Sequence, residues 1–106
     1  MTPQEFVATI NGHQRFLRKQ ADGVRADLTG QNLSGLRLPN LNLRDAILAD
    51  TDFRGAVITG CNFRNAELRG AKFQGADAKE TDFGVADLRG SQFQDAKLAG
   101  ANFKGA

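Results

Sequence analysis

The sequence has no tryptophan or tyrosine, and only one cysteine and one histidine among its 106 residues. A single cysteine, Cys61, permits no disulfide within the chain and is typical of a reducing compartment. His13 and Cys61 form no cluster with metal-ligand spacing, so we expect no metal site. No segment is apolar enough for a signal peptide or a membrane span. We therefore expect a cytoplasmic protein that does not engage membranes.

The net charge is only +2, and it is concentrated at one end of the chain. Residues 1–20 account for it through Arg15, Arg18 and Lys19 against Glu5. Residues 21–106 hold eleven basic and eleven acidic residues, so they are neutral. A neutral surface of mixed sign binds a phosphate backbone weakly and imitates a polyanion poorly.

Residues 1–20 have the pattern of an amphipathic helix. Thr2 suits the N-cap, Pro3 suits the first helical position, and Glu5 completes a capping box. Gly12 costs about 1 kcal/mol relative to alanine in a helix interior, which leaves open a break at that point. The apolar residues at helical spacing are Phe6, Ile10 and Leu17.

From Ala21 to the end, the sequence repeats every five residues. Units such as Ala-Asp-Leu-Thr-Gly (26–30) and Thr-Asp-Phe-Arg-Gly (51–55) recur along this segment. So short a period indicates a solenoid, in which each unit contacts only its neighbours. The ends of a solenoid expose apolar side chains and unpaired backbone groups. We therefore divide the chain into a capping helix, 1–20, and a repeat domain, 21–106.

The positions within each unit have distinct roles. The middle residue, here called the centre, is large and apolar, and the residue two before it is small. Both should face inward, the small residue allowing the backbone walls to approach. The residue two after the centre is mostly Gly, Asn or Asp, which tolerate the positive φ of a type II turn. The predicted core centres are Leu28, Leu33, Leu38, Leu43, Leu48, Phe53, Ile58, Phe63, Leu68, Phe73, Phe83, Leu88, Phe93, Leu98 and Phe103.

The run Ala-(Asp/Asn)-(Leu/Phe)-X-X resembles the pentapeptide repeat family, and the resemblance covers residues 21–106. It implies an all-β solenoid: a right-handed, quadrilateral (four-sided) parallel β-helix of about four coils, with the N-terminal α-helix as its cap. Four sides of five residues would stack residues twenty positions apart. In that register leucine lies on leucine and phenylalanine on phenylalanine, as in Leu48 with Leu68 and Phe53 with Phe73.

Two stretches depart from the pattern. Leu36 and Leu41 occupy slots that are small elsewhere, and we expect them to add core volume beneath the helix, with a binding role as the alternative. Ala78 replaces a large centre, while Glu80 and Val85 replace turn-tolerant residues. Loss of a leucine-sized group costs about 2–5 kcal/mol if nothing refills the space. We therefore predict a locally different turn and a small void at residues 76–85.

The chain offers no set of residues suited to catalysis or cofactor binding. We expect His13 to pack against the core with one hydrogen bond, and Cys61 to be a buried, inert thiol. The carboxylates lie one per repeat on outward positions beside basic residues, which predicts a charge-balanced wall. We conclude that the protein is not an enzyme and needs no cofactor.

The leading hypothesis is a rigid scaffold whose flat walls bind another protein, because repeat solenoids present extended surfaces. One wall would hold Arg44, Arg64 and Lys104, and it is the candidate interaction surface. Asn42, Asn62 and Asn102 share this wall, and Asp82 interrupts it. A nucleic-acid partner is disfavoured because no aromatic residue is exposed there for base stacking.

Two alternative functions stay open. Some pentapeptide repeat proteins bind DNA gyrase by resembling duplex DNA, but that role favours a longer, acidic rod. The chain could also be a regulatory or targeting module of a larger protein. Its repeat stops at Gly105-Ala106 and leaves Phe103 in an uncovered coil. Either the protein continues beyond this point, or two copies form a homodimer through the C-terminal coil.

Overall fold

The computed structural model describes residues 1–106 and contains one helix, α1, over Pro3–Leu17. The Thr2 hydroxyl accepts a hydrogen bond from the Glu5 amide at 3.1 Å, and the Glu5 carboxylate accepts one from the Thr2 amide at 2.8 Å. This capping box fixes the start of the helix. α1 runs through Gly12 without a break. It is neither long nor apolar enough to cross a membrane.

After α1 the chain forms coils in which residues twenty positions apart pair in parallel, for example Asp27 with Ile47. Each pair is an isolated bridge, and no segment forms a longer strand. The bridges fall into four columns, which we name faces 1 to 4. Face 1 is Asp27, Ile47, Glu67 and Asp87; face 2 is Asn32, Asp52, Lys72 and Gln92; face 3 is Arg37, Val57, Asp77 and Lys97; face 4 is Asn42, Asn62, Asp82 and Asn102.

One hydrogen-bond pattern joins successive coils. On face 2 the Leu33 amide donates to the Asp52 carbonyl at 2.8 Å, and the Gly35 amide to the Arg54 carbonyl at 2.9 Å. The Asp52 amide donates back to the Gln31 carbonyl at 2.9 Å. The same three bonds recur on the other faces. Each coil therefore satisfies the backbone edge of the coil before it.

The corners between faces all use a residue with positive φ, including at the two positions where the sequence lacks a turn-tolerant residue. Glu80 has φ 58° and Val85 has φ 49°, close to Asn65 at 57°. The predicted local change of turn is therefore wrong. The Glu80 amide bonds to the Ala99 carbonyl and the Val85 amide to that of Lys104, both at 2.9 Å, so the ladder holds both residues in this conformation.

No cavity is found where the void at residues 76–85 was predicted. Ala78 is completely buried, and no cavity in the structure is lined by it. The Thr81 side chain is fully buried as well, and its hydroxyl donates to the Ile58 carbonyl at 2.7 Å. Ala78 therefore lies in a part of the core that is closed to solvent.

The core lies inside the coils and contains two columns of phenylalanine rings. Phe73 stacks between Phe53 and Phe93, with ring centroids 5.0 and 4.7 Å away, and it meets Phe63 and Phe83 edge to face. Such pairs add to the stabilisation that comes from burial. Fully or almost fully buried centres are Leu28, Leu33, Leu43, Leu48, Phe53, Ile58, Phe63, Leu68, Phe73 and Phe83. Leu38, Leu88, Phe93 and Leu98 are partly buried.

α1 lies across the first coil. Phe6 and Ile10 pack against the core, whereas Leu17 is half-buried near the end of the helix. Leu36 and Leu41 were both predicted to add core volume beneath α1. Leu41 does pack against the core, but Leu36 is 43% exposed at the rim. The prediction that Leu36 adds core volume is therefore wrong, because it lies beside the first turns of α1 and not beneath them.

His13 connects α1 to the coils. Its Nδ1 accepts a hydrogen bond from the Ala26 amide at 3.0 Å, so its Nε2 carries the proton and donates to the Arg44 carbonyl at 2.8 Å. His13 therefore forms two hydrogen bonds, where the sequence predicted one. The ring is fully buried, and this burial lowers the pKa of His13.

Candidate interaction surface

Face 4 contains the three basic residues that the sequence pattern selected. Each bridge residue of this face accepts a hydrogen bond from the amide two positions later: Asn62 from Arg64 at 2.9 Å, and Asn102 from Lys104 at 3.0 Å. Asn42 and Asp82 make the same contact with residues 44 and 84. These Asx turns fix the backbone from which Arg44, Arg64 and Lys104 leave the face.

Asp82 is the one acidic bridge residue of face 4. Arg64 Nη1 lies 3.4 Å from each carboxylate oxygen of Asp82, and Asn102 Nδ2 donates to Oδ1 at 3.0 Å. Burial raises the pKa of Asp82, but the hydrogen bonds from Gly84, Arg64 and Asn102 outweigh it, so this pKa lies below its usual value. Asp82, which interrupts the basic wall, therefore forms an ion pair with Arg64.

The other two basic residues of face 4, Arg44 and Lys104, are more exposed and less tightly paired than Arg64. The Arg44 side chain is 59% exposed, and its Nε lies 3.8 Å from an Asp45 carboxylate oxygen. Lys104 is exposed and forms no salt bridge. Lys19, which follows α1, lines one hollow with Leu17 and Arg44. The position of Lys19 beside face 4 was not predicted, although the sequence does place this basic residue near the end of a helix.

The charges are distributed unevenly around the coils. We count as outward each bridge residue and the residue two positions after it. Faces 3 and 4 carry six outward basic side chains: Arg37, Arg44, Arg64, Lys79, Lys97 and Lys104. They carry only two outward carboxylates, Asp77 and Asp82. Even with the corner residues Asp45 and Glu80 included, these two adjacent faces keep a positive excess.

Faces 1 and 2 are balanced in charge, and several of their charged residues are paired. Their outward carboxylates are Asp27, Asp52, Glu67 and Asp87, and their outward basic residues are Arg54, Arg69, Lys72 and Arg89. Arg54 lies 2.7 Å from Asp52, and Arg89 lies 2.6 Å from Asp87. The hydrogen bond from Arg89 lowers the pKa of Asp87 to about 2. Faces 1 and 2 therefore present no net outward charge to a partner.

The structure brings together no group of side chains suited to holding a metal ion. Cys61 is almost fully buried, and its thiol donates to the Leu38 carbonyl at 2.9 Å. Burial raises the pKa of Cys61 to about 11. Because the thiolate is the reactive form, this side chain is a poor nucleophile at neutral pH.

Comparison with known proteins adds to this geometry. The sequence profile of the pentapeptide repeat region matches residues 26–103. Among solved structures, a pentapeptide repeat protein from the thylakoid lumen of Arabidopsis thaliana is 34% identical, with a TM-score of 0.70. That match covers 74% of this chain and 59% of the Arabidopsis chain, so this chain spans less than two thirds of its relative. No curated protein matches the sequence.

Two further matches among solved structures are more distant. QnrB1, a plasmid-mediated fluoroquinolone resistance protein, is 25% identical over 66% of this chain and 38% of its own, with a TM-score of 0.43. A pentapeptide repeat protein from Nostoc is 20% identical over 92% and 95% of the two chains, with a TM-score of 0.47. Both TM-scores are low, so these two proteins say nothing about the function of this chain.

Proposed function

The chain belongs to the pentapeptide repeat family, and from this premise we propose that it is a non-catalytic scaffold that binds another protein. The observation that carries the proposal is the excess of outward basic charge on the adjacent faces 3 and 4. The partner should present an acidic surface, since interfaces match opposite charges and so gain specificity and association rate.

The geometry of face 4 supports this choice. Coils stack at about 4.8 Å, so Arg44 and Arg64 leave adjacent coils at a fixed spacing. Because the coils fix the backbone at both residues, less conformational freedom is lost on binding than if they lay on a mobile loop. Carboxylates on or beside the same two faces, such as Asp45 and Asp82, oppose a phosphate backbone. We therefore favour a protein partner over a nucleic acid.

Charge reversal on one face tests the proposal. The immobilised wild-type chain, an Arg44→Glu/Arg64→Glu variant and an Arg54→Glu/Arg69→Glu control are incubated with extract of the host cells. We expect one acidic protein to bind the wild type and the control and to be lost from the face 4 variant. Equal capture by all three proteins, or capture that disappears on nuclease treatment, would overturn the proposal. Circular dichroism checks that each variant is folded.

The alternative of gyrase-directed DNA mimicry finds no favourable observation in the charge distribution, because DNA mimicry needs an acidic surface. We expect the chain neither to inhibit DNA supercoiling by gyrase nor to protect gyrase from a quinolone. Inhibition at stoichiometric concentration would instead support mimicry.

Two finer features belong to the same proposal. We propose that the coils wind as a right-handed quadrilateral β-helix, as the family resemblance implies, and the four bridge columns support this. We also propose a homodimer through the coil of residues 86–106, where Phe103 stacks on Phe83 at 5.0 Å yet is 37% exposed. Light scattering that gives a dimer mass at several concentrations would support the dimer, and a monomer mass would exclude it.

A further inference from the structure

A groove separates the first turns of α1 from the edge of face 2 in the first coil. Its apolar lining is Met1, Pro3, Phe6, Val7, Leu33 and Leu36. Met1, Val7 and Leu36 are 53%, 55% and 43% exposed. The groove therefore exposes clustered apolar surface, in contrast with the polar and charged residues that dominate the faces.

The floor of this groove is an unpaired backbone edge. In the ladder, each coil offers the preceding coil one amide and two carbonyls on every face; on face 2 these come from Asp52 and Arg54 in the second coil. The matching groups of the first coil are the amide and carbonyl of Asn32 and the carbonyl of Ser34. None of these three groups has a hydrogen-bond partner in the protein.

Face 4 shows what a covered edge looks like. There α1 supplies side-chain donors: Gln14 Nε2 bonds to the Asn42 carbonyl at 3.0 Å, and His13 Nε2 bonds to the Arg44 carbonyl at 2.8 Å. α1 thus replaces the missing coil on face 4 and provides no donor to Asn32 or Ser34 on face 2. The open edge and the apolar groove coincide.

A charge lies just beyond the groove. Arg37 follows Leu36, is exposed and forms no salt bridge. Its own amide and carbonyl are likewise unpaired. A strand laid parallel to residues 31–35 would end at the corner that leads to Arg37. An acidic side chain or terminal carboxylate at that end would meet a free guanidinium.

We propose that this groove binds an extended apolar peptide of another protein, which adds a parallel strand to face 2 and places an acidic group near Arg37. Strand addition supplies main-chain hydrogen bonds, while the groove selects the side chains. The peptide would occupy the position above Asn32 and Ser34 that Gln31, Leu33 and Gly35 occupy above the second coil. Residues 26–106 of this chain are already paired in coils, so they offer no free segment for the groove.

This inference deepens the proposed protein-binding function but uses a surface separate from Arg44 and Arg64. The probe is a phage library of random linear peptides of about ten residues, the length of a long strand, selected against the full chain. We expect enriched peptides with an apolar segment followed by Asp, Glu or a free carboxyl end. Their affinity should fall about tenfold or more in Leu36→Asp, fall less in Arg37→Glu, and stay unchanged in Arg44→Glu/Arg64→Glu.

An amide-exchange measurement separates strand addition from simple apolar contact. By NMR, the Asn32 amide should exchange more slowly with solvent when an enriched peptide is bound. Leu36→Met, which keeps the apolar surface, should bind as the wild type does. The inference fails if no sequence is enriched, if Leu36→Asp binds equally well, or if the Asn32 amide gains no protection. Light scattering that shows Leu36-dependent self-association would assign the groove to a second copy and also overturn it.

The two proposals can fail separately. If the acidic partner still depends on Arg44 and Arg64 while no peptide binds, the groove inference alone is wrong. If peptides bind the groove while charge reversal on face 4 has no effect, the charged-face proposal is wrong and the groove remains the binding site.

Discussion

The guanidinium of Arg64 lies over the bare α-carbon of Gly84, in the space that a Cβ at residue 84 would take. A Cβ there would approach within 3.0 Å of the guanidinium carbon and also of an Asp82 carboxylate oxygen. Residue 84 occupies the position that is Arg44, Arg64 and Lys104 in the other coils. The missing side chain therefore lets Arg64 fold down and pair with Asp82.

Gly84→Ala should displace Arg64 from Asp82. Because the hydrogen bond and charge of Arg64 help to lower the pKa of Asp82, we expect that pKa to rise towards its usual value. Carbon-detected NMR titration of the Asp82 carboxyl measures it. Arg64→Gln, which removes the charge without adding an atom at residue 84, should give a rise in the same direction. An unchanged pKa of Asp82 in Gly84→Ala would mean that the position of Arg64 does not depend on the missing side chain at residue 84.

Phe73→Ala should be among the most destabilising single changes in the core. The ring stacks on Phe53 and Phe93 and meets Phe63 and Phe83 at its edges. Removing a buried phenylalanine costs about 3–5 kcal/mol. Phe103→Ala is the matched control and should cost clearly less, since Phe103 is 37% exposed and has neighbours on one side only. Urea denaturation measures both, and equal losses would contradict the packing described.

Acidification should loosen the attachment of α1 through His13. Protonation of Nδ1 removes the acceptor of the Ala26 amide, and burial already lowers the pKa of His13 below its usual value of 6.5. The unfolded chain therefore takes up a proton before the folded one, so this contribution to stability is complete above pH 6.5 and is lost as the pH falls towards the folded pKa.

The melting temperature measured from about pH 7.5 down to about pH 5 tests this linkage. We expect it to fall in the wild type, and to fall less in His13→Gln, which starts lower but cannot titrate at this position. A wild-type melting temperature that stays constant over this range would show that His13 does not control the attachment of the helix.

Ala78→Leu should destabilise the protein although it restores a large centre. Ala78 is completely buried and lines no cavity, so extra atoms force overpacking that costs about 1–3 kcal/mol. Ala99→Leu, on the exposed side of the same face, should stay within about 0.5 kcal/mol of the wild type. If Ala78→Leu raised stability in urea, the space would be open after all.

Much of the fold was predictable because its determinants are local and periodic. The Ala-(Asp/Asn)-(Leu/Phe) run predicted the pentapeptide repeat family, and the profile match over residues 26–103 confirms it. The errors arose where neighbouring coils overrule local preference. Val85 is β-branched and disfavours positive φ, yet the bond from its amide to the Lys104 carbonyl keeps it at a corner.

The surfaces were harder to predict than the core. A repeat pattern places Leu36 in an inward slot, but only the position of α1 decides whether that slot is covered. Likewise, Arg64 and Gly84 are twenty positions apart in the sequence. Their contact depends both on the stacking register and on the missing side chain at residue 84. The unpaired amide of Asn32 has no signal in the sequence, because it depends on which face α1 covers.

Site-specific photo-crosslinking is the sharpest test of a charged binding surface on faces 3 and 4. Benzoylphenylalanine is placed at one outward position of each face, replacing Ala49 on face 1, Gln94 on face 2, Ala99 on face 3 or Lys104 on face 4. We expect one acidic partner to crosslink from residues 99 and 104 and not from residues 49 and 94. Crosslinks from faces 1 or 2 to that partner, or equal labelling from all four positions, would contradict it.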